Sequence, residues 1–212
     1  MNRQVLITAL VLTLFAAIGG GLVSYTEQST ASQIRVNDKM MLLHSLKSLL
    51  PAQRYDNDLA SSAISIAPHQ LLGTTKTSRA YSATKNTDTV AFIFNVIANN
   101  GYNGKIYLLI GVYTDGSIAG VRVVRHKETP GLGDAIDENR SSWILNFNQH
   151  SLSSLTEKQW KVKRDGGYFD QFTGATITPR AVVNAVHNTL LYYQQHKAVL
   201  LQATTKPVSP KE

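Results

Sequence analysis

VAFIFNVIA at residues 90–98, KIYLLIGVY at 105–113 and SIAGVRVVR at 117–125 decide the fold of this chain. Each stretch is dense in β-branched and aromatic side chains and has the length of a strand. The first two are joined by Asn99-Asn100-Gly101-Tyr102-Asn103-Gly104, which is rich in residues that accept positive φ. The second and third are joined by Thr114-Asp115-Gly116, a short hairpin signal. Strands linked in succession by hairpins predict an antiparallel meander.

Toward the N-terminus, residues 51–80 read as irregular, with Pro51-Ala52 and Tyr55-Asp56-Asn57-Asp58 as loop. Residues 29–50 read as a helix, because Ile34, Leu42, Leu43, Leu46, Leu49 and Leu50 recur at spacings of three and four, and Pro51 stops it. Residues 4–26 carry no charge. As a helix they span ~34 Å at ~1.5 Å per residue, enough for a ~30 Å hydrocarbon core. A signal-peptide core is shorter, about 7–15 residues, so an uncleaved anchor is the expectation. Gly19-Gly20-Gly21 keeps a cleaved signal open, and equally permits close helix packing in a membrane. Arg3 before the span favours a cytoplasmic N-terminus, with residues 27–212 on the far side.

Toward the C-terminus come a Pro/Gly loop at 126–134, a short helix around Asp134 to Arg140, and a possible strand from Trp160 to Arg164. A final helix begins near Pro179, with Val182, Val186, Leu190 and Tyr193 on one apolar face. The tail from Ala203 is polar with two prolines and reads as disordered. The expected architecture is α+β: a meander sheet with flanking helices, preceded by one transmembrane helix. Its divisions are an anchor at 1–27, a stalk helix at 28–50, a domain at 51–202 and a tail at 203–212.

Composition narrows the function. The chain has 212 residues and a net charge of +7. Its lysines and arginines are dispersed, and no nucleic-acid module is present, so nucleic acid is not an expected partner. Diffuse positive charge suits an anionic membrane surface or acidic proteins. There is no cysteine, which excludes disulfides and a thiolate-held iron–sulfur cluster. A redox role would need an organic cofactor or a haem, and no Cys-x-x-Cys-His is present for covalent haem.

The segment with the most chemical content is Asp170-Gln171-Phe172-Thr173-Gly174-Ala175-Thr176-Ile177-Thr178-Pro179-Arg180. Pro179 suits the first helical position and Thr178 the N-cap. Gly174 and Ala175 keep the preceding turn small. Thr173 and Thr176 then lie just ahead of a helix N-terminus, whose free N–H groups and partial positive charge favour a phosphate. Arg180 could add a guanidinium. On spacing alone a Thr-rich turn that simply caps a helix is the preferred reading. A second segment, His126-Lys127-Glu128-Thr129-Pro130-Gly131-Leu132-Gly133, contains Pro130-Gly131, which favours a type II turn. Gly131 and Gly133 let backbone approach a flat ring, and Leu132 could cover one face, although on its own a Gly-x-Gly after a strand is more often just a turn.

Thr-Gly-Ala-Thr-Ile-Thr at 173–178, with Asp170 six residues before Thr176, resembles the flavinylation motif of the FMN-binding domain family. Glu-Thr-Pro-Gly-Leu-Gly at 128–133 resembles that family's Pro/Gly loop. The family includes the G subunit of the Rnf ion-translocating complex and the C subunit of sodium-pumping NADH:quinone reductase. The anchor and the segment from Leu50 to Asp58 make the arrangement more similar to the Rnf G subunit. Thr173 stands where many relatives have serine, and Pro179-Arg180 where others often have serine.

The resemblance implies FMN held covalently through its phosphate to Thr176, with Thr173, Gly174, Ala175 and Thr178 around the attachment point. It implies Glu128, Thr129, Gly131, Leu132 and Gly133 near the ring. Trp143 is read either as a stack on the flavin or as core. It further implies an electron-transfer subunit of a membrane redox complex that couples electron flow to ion translocation, without turnover as an isolated chain. The implied location is the bacterial inner membrane, single-pass, with a periplasmic domain, and a separate flavin transferase performs the attachment. No acid–base pair stands out, so no catalytic residue is assigned. His126 and Glu128 with Asp134 could suggest a metal, but acids beside a turn are ordinarily solvated and none is assigned. His44 and His187 are read as packing or surface residues. A membrane-anchored binding or sensory module without covalent flavin, or a purely structural anchor, remain alternatives.

Overall fold

The computed structural model describes residues 3–205. They fall into two compact units that divide between Leu42 and Leu43. A single helix, α1 (Arg3–Leu49), is continuous through residue 27. Within the first unit, Arg3–Ile34 is long and apolar enough to cross a membrane. Ile34 is exposed, so the apolar face read over 29–50 is buried only at its end, in Leu46, Leu49 and Leu50 of the second unit.

The second unit is built on a five-stranded antiparallel sheet in the order β1-β2-β3-β4-β5. The strands are β1 (Ala63–Ile66), β2 (Ser78–Lys85), β3 (Asp88–Gly101), β4 (Gly104–Tyr113) and β5 (Ile118–Arg125). The expected meander is β3-β4-β5. In the 3–4 and 4–5 hairpins, Gly101 pairs with Gly104, and the Gly116 N–H donates to the Tyr113 carbonyl at 2.9 Å.

β1 and β2 were not expected. β1 is only AISI, and β2 is SRAYSATK, which lacks branched apolar residues. Its small side chains suit a packed interior position: Ala80 and Ala83 are fully buried. The turn from β2 to β3 is Asn86-Thr87, both at positive φ (50° and 78°). A β-branched residue seldom adopts that conformation, which is why the pair carries no hairpin signal.

Helix α2 (Ile177–Thr205) packs on one face of the sheet. Val182, Val186, Leu190 and Tyr193, the expected apolar face, are all buried in one core with Phe92, Phe94, Leu108 and Ile110. The helix reaches Thr205, so residues 203–205 are helical, and 206–212 lie outside the described residues. Period-2 alternation puts Ile93 and Leu109 on the opposite face. They too are fully buried. The last turns of α1 lie there. A Cβ on Gly120 would come within 3.0 Å of the Leu49 carbonyl, and the Arg122 guanidinium donates to the Ser48 carbonyl at 2.8 Å.

Between β5 and α2 the chain makes short 3-10 turns around an aromatic cluster of Trp143, Phe147, Trp160 and Phe169. The helix expected at 134–140 is a 3-10 turn, Gly133–Ile136. The strand expected at 160–164 is a turn as well, Lys163–Asp165, with Val162 bridging Phe169. Its apolar residues fill the core without a neighbouring strand edge to pair with.

Candidate functional site

The loop after β5 folds on the carbonyl of Thr129, which accepts N–H groups from Leu132 at 3.2 Å and Gly133 at 3.1 Å. Gly131 has φ +75°, as a type II turn with Pro130 ahead of it requires. The turn ejects Leu132, which is 44 % exposed. Gly133 is buried, and a Cβ there would stand 2.9 Å from the Thr178 hydroxyl and 3.0 Å from Glu128.

Glu128 is the hinge of this arrangement, and it is buried rather than solvated. Its carboxylate accepts the N–H groups of Tyr102 at 3.3 Å and Asn103 at 3.0 Å, and also the Thr178 hydroxyl. One side chain thereby ties the β3–β4 turn, the Pro/Gly loop and the first turn of α2 together. His126 does not face a metal through Nδ1, since that atom accepts the Glu128 N–H at 3.1 Å. Asp134, also buried, lies 3.6 Å from Arg140.

The start of α2 differs from the expected cap. Arg180 N–H donates to the Thr176 carbonyl at 3.3 Å, which makes Thr176 the N-cap and Ile177 the first helical residue. Thr178 is inside the first turn, its hydroxyl committed to Glu128. Pro179 is tolerated there because a first-turn N–H has no intrahelical partner. The preceding turn closes with the Ala175 N–H donating to the Phe172 carbonyl at 3.1 Å, and Gly174 supplies φ +79°.

Arg180 does not serve the site: its guanidinium grips Asp165 through two bonds of 2.7 and 2.8 Å. Those hydrogen bonds hold the Asp165 carboxyl below its ordinary pKa and raise that of Arg180. Arg164 takes the place expected of Arg180. Its Nη1 donates to Thr176 Oγ1 at 3.4 Å.

These elements enclose a cleft of about 540 Å³, within the ~300–1,000 Å³ common for small-molecule sites. Tyr102, Glu128, Thr129, Leu132 and Gly133 form one side, residues 174–178 the other, and Arg164 stands at the threonine end. Three exposed apolar side chains, Tyr102, Leu132 and Ile177, border it. The two segments singled out in the sequence therefore meet.

Thr173, Gly131 and Trp143 do not line the cleft among its described residues. Thr173 and Gly131 form the adjoining turns. Trp143 is buried against Phe147 and Phe172, and its indole N–H donates to the Asp170 carbonyl at 2.8 Å, bracing the threonine turn from behind. Tyr102, Arg164 and Ile177 were not anticipated. Tyr102 had a signal, as an aromatic in a Gly/Asn turn, whereas Arg164 had none.

The model of the FMN-binding domain family matches residues 101–191, and that of the RnfG N-terminal region matches residues 1–49. Residues 101–191 contain every residue that lines the cleft. Among curated proteins the chain is 44 % identical over 203 residues to the G subunit of an ion-translocating oxidoreductase complex of Shewanella piezotolerans, covering 96 % of each. The like-named protein of Pseudoalteromonas atlantica is 43 % identical over 206 residues, covering 97 % of this chain and 96 % of that one. That of Vibrio cholerae is 45 % identical over 191 residues, with 90 % and 91 % covered. End-to-end likeness at this level, together with a cleft that falls inside the matched FMN-binding domain, means that the chain belongs to the family of G subunits of ion-translocating oxidoreductase complexes.

Proposed function

We propose that this protein is an electron-transfer subunit that carries FMN covalently, through a phosphoester to Thr176, in a membrane-bound complex coupling electron transfer to ion translocation. The observation that carries the reading is the juxtaposition of Thr176 Oγ1, Arg164 and the N-terminus of α2 at one end of the cleft.

The residues fit the group. The Ile177 and Thr178 N–H groups belong to the first turn of α2, where backbone donors have no intrahelical partner and the helix end is partially positive. Arg164 adds a cation beside the hydroxyl. Tyr102, Leu132 and Ile177 supply apolar surface suited to a flat ring, and Gly174 admits close approach, with Leu132 Cδ2 at 3.7 Å the nearest atom to a Cβ there. When bound, the flavin supplies one- and two-electron chemistry, and the protein supplies position and electrostatics. Attachment would form a bond from Thr176 Oγ1 to the flavin phosphate and break the phosphoanhydride of an activated flavin dinucleotide, with the nucleoside monophosphate as leaving group, the threonine proton passing to solvent and a separate flavin transferase as catalyst. A tether through the phosphate leaves the ring chemically unmodified and holds it at a fixed local concentration beside partner subunits.

In the same proposal α1 anchors the chain in the bacterial inner membrane, and the positive charge of Arg3 at the start of the span supports a periplasmic domain. The test is direct. Protein co-expressed with a flavin transferase is denatured in acid, resolved on a gel and scanned for flavin fluorescence, and the peptide containing Thr176 is weighed. Thr176→Ala should still fold and lose the fluorescent band. A band that survives the substitution assigns the attachment elsewhere, and a wild-type chain without one supports a non-flavinylated binding module instead.

A further inference from the structure

The face of the sheet that receives α1 is uncovered at its other end. Register aligns Ile97 with Tyr107 and Tyr107 with Arg125, a row across β3, β4 and β5 beyond the reach of Leu49. Arg125 lies over the Tyr107 ring, its Cζ 4.2 Å from the centroid. Beside this row is a hollow of about 370 Å³ lined by Asn103, Lys105, Tyr107, Arg125, His126 and Lys127.

The charge there is one-sided. Lys105, Arg125 and Lys127 are exposed, and among the described residues none has a carboxylate within ion-pair distance. Arg122, on the same strand as Arg125, is by contrast matched to Glu138 at 2.7 Å. Glu128, the nearest acid in sequence, is buried with its oxygens committed to N–H and hydroxyl donors. Exposed cations left unmatched around an aromatic platform are complementary to an acidic surface.

Position selects the partner. Asn103 lines this hollow, while its side chain donates to Thr129 Oγ1 at 3.2 Å and its N–H to Glu128, two residues that line the cleft. A body seated on the cationic hollow therefore abuts the cleft wall. We propose that Lys105, Arg125 and Lys127 form the docking surface for an acidic face of an electron-transfer partner, another subunit of the same complex. The proposal rests on the flavin reading above for its purpose, although docking itself can be observed without flavin.

The test uses the full chain in its purified complex. A carbodiimide, which joins amines to carboxylates at zero length, should link Lys105 or Lys127 to an Asp or Glu of a neighbouring subunit, located by mass spectrometry. The double variant Lys105→Glu/Lys127→Glu should keep its fluorescent flavin band, lose the cross-link and receive electrons about tenfold more slowly at low salt. Raising the ionic strength should slow the wild type toward the variant. Unchanged electron delivery, or cross-linking with no involvement of either lysine, overturns the proposal. Protection of these lysines from amine-reactive label in phosphatidylglycerol nanodiscs of the isolated chain, with none in the detergent-purified complex, also overturns it and assigns the patch to lipid. A wild-type chain that cross-links through these lysines but bears no flavin keeps the docking surface and removes the redox function.

Discussion

Glu128 and Arg164 show how single side chains build the cleft. Glu128 is a buried carboxylate that satisfies two backbone N–H groups and the Thr178 hydroxyl. Glu128→Ala would leave the buried Thr178 hydroxyl and two part-buried N–H groups unmatched. Each buried unsatisfied donor costs ~1–3 kcal/mol, so we expect a loss of about 3 kcal/mol in urea unfolding, with the cleft loosened. Glu128→Gln restores an acceptor but adds a donor facing donors, and should recover only part. Among the described residues the Arg164 guanidinium makes no comparable structural bond, and its removal should spare folding. In a Thr176→Ala background, where any FMN is held non-covalently, Arg164→Ala forfeits a charge-assisted bond to phosphate worth ~1.5–3 kcal/mol. The dissociation constant for FMN, read from quenching of flavin fluorescence, should then rise about tenfold or more. An unchanged constant would remove Arg164 from the site. Glu128, which lines the cleft, was legible as a candidate because it sits inside a short motif. Arg164 was not, because its role depends on Gly166 and Gly167 turning the chain back toward residue 176.

Helix α2 is the element that joins stability to function. Its N-terminus borders the cleft and its length buries Val182, Val186 and Leu190 on the sheet. His187, on the same helix, stacks on Trp160 with centroids 5.4 Å apart. Burial pushes its pKa below the ordinary histidine value, with Glu157 opposing weakly. The unfolded chain, with its histidine near ~6.5, therefore takes up the proton first as pH falls. Stability from this residue is flat above about pH 7 and declines as pH drops through the unfolded value. Melting temperature should fall between pH 7.5 and 5.5, and His187→Gln, neutral throughout, should shrink that fall. A variant with the same acid loss would place the titration elsewhere. Tyr193, two turns on, has its pKa pushed up to about 12 by burial and by Asp115, so its hydroxyl stays a donor to the Thr114 carbonyl at 3.2 Å and pins the helix to the β4–β5 hairpin. The periodicity of α2 was readable throughout. Its first residue was misplaced, since Pro179 and Thr178 are compatible with either of two caps and the buried Glu128 decides between them.

For the whole molecule, the division at residue 42 matters more than the end of the apolar span. Leu46, Leu49 and Leu50 are almost wholly buried on the sheet. A chain beginning at Leu43 should fold as a soluble domain. One beginning at Pro51 gives up three buried leucines at ~1.5–3 kcal/mol each and should be less stable by on the order of 5 kcal/mol. Equal urea midpoints for the two would mean that the α1 turns are dispensable to the domain.

By itself the sequence determined the apolar span, the β3-β4-β5 meander, the apolar face of α2 and the two motifs of the site, because each is a local pattern of spacing or turn chemistry. Only the tertiary structure decided the strands β1 and β2, whose small residues are buried by their neighbours rather than by their own apolar surface. It also decided that Glu128 faces inward, that Arg164 rather than Arg180 meets Thr176, and that Trp143 packs in the core. The dispersed cations Lys105, Arg125 and Lys127 become one surface only when β4 and β5 pair. The physical reason is common to all of these: long-range register brings together groups whose separation along the chain carries no periodic signal.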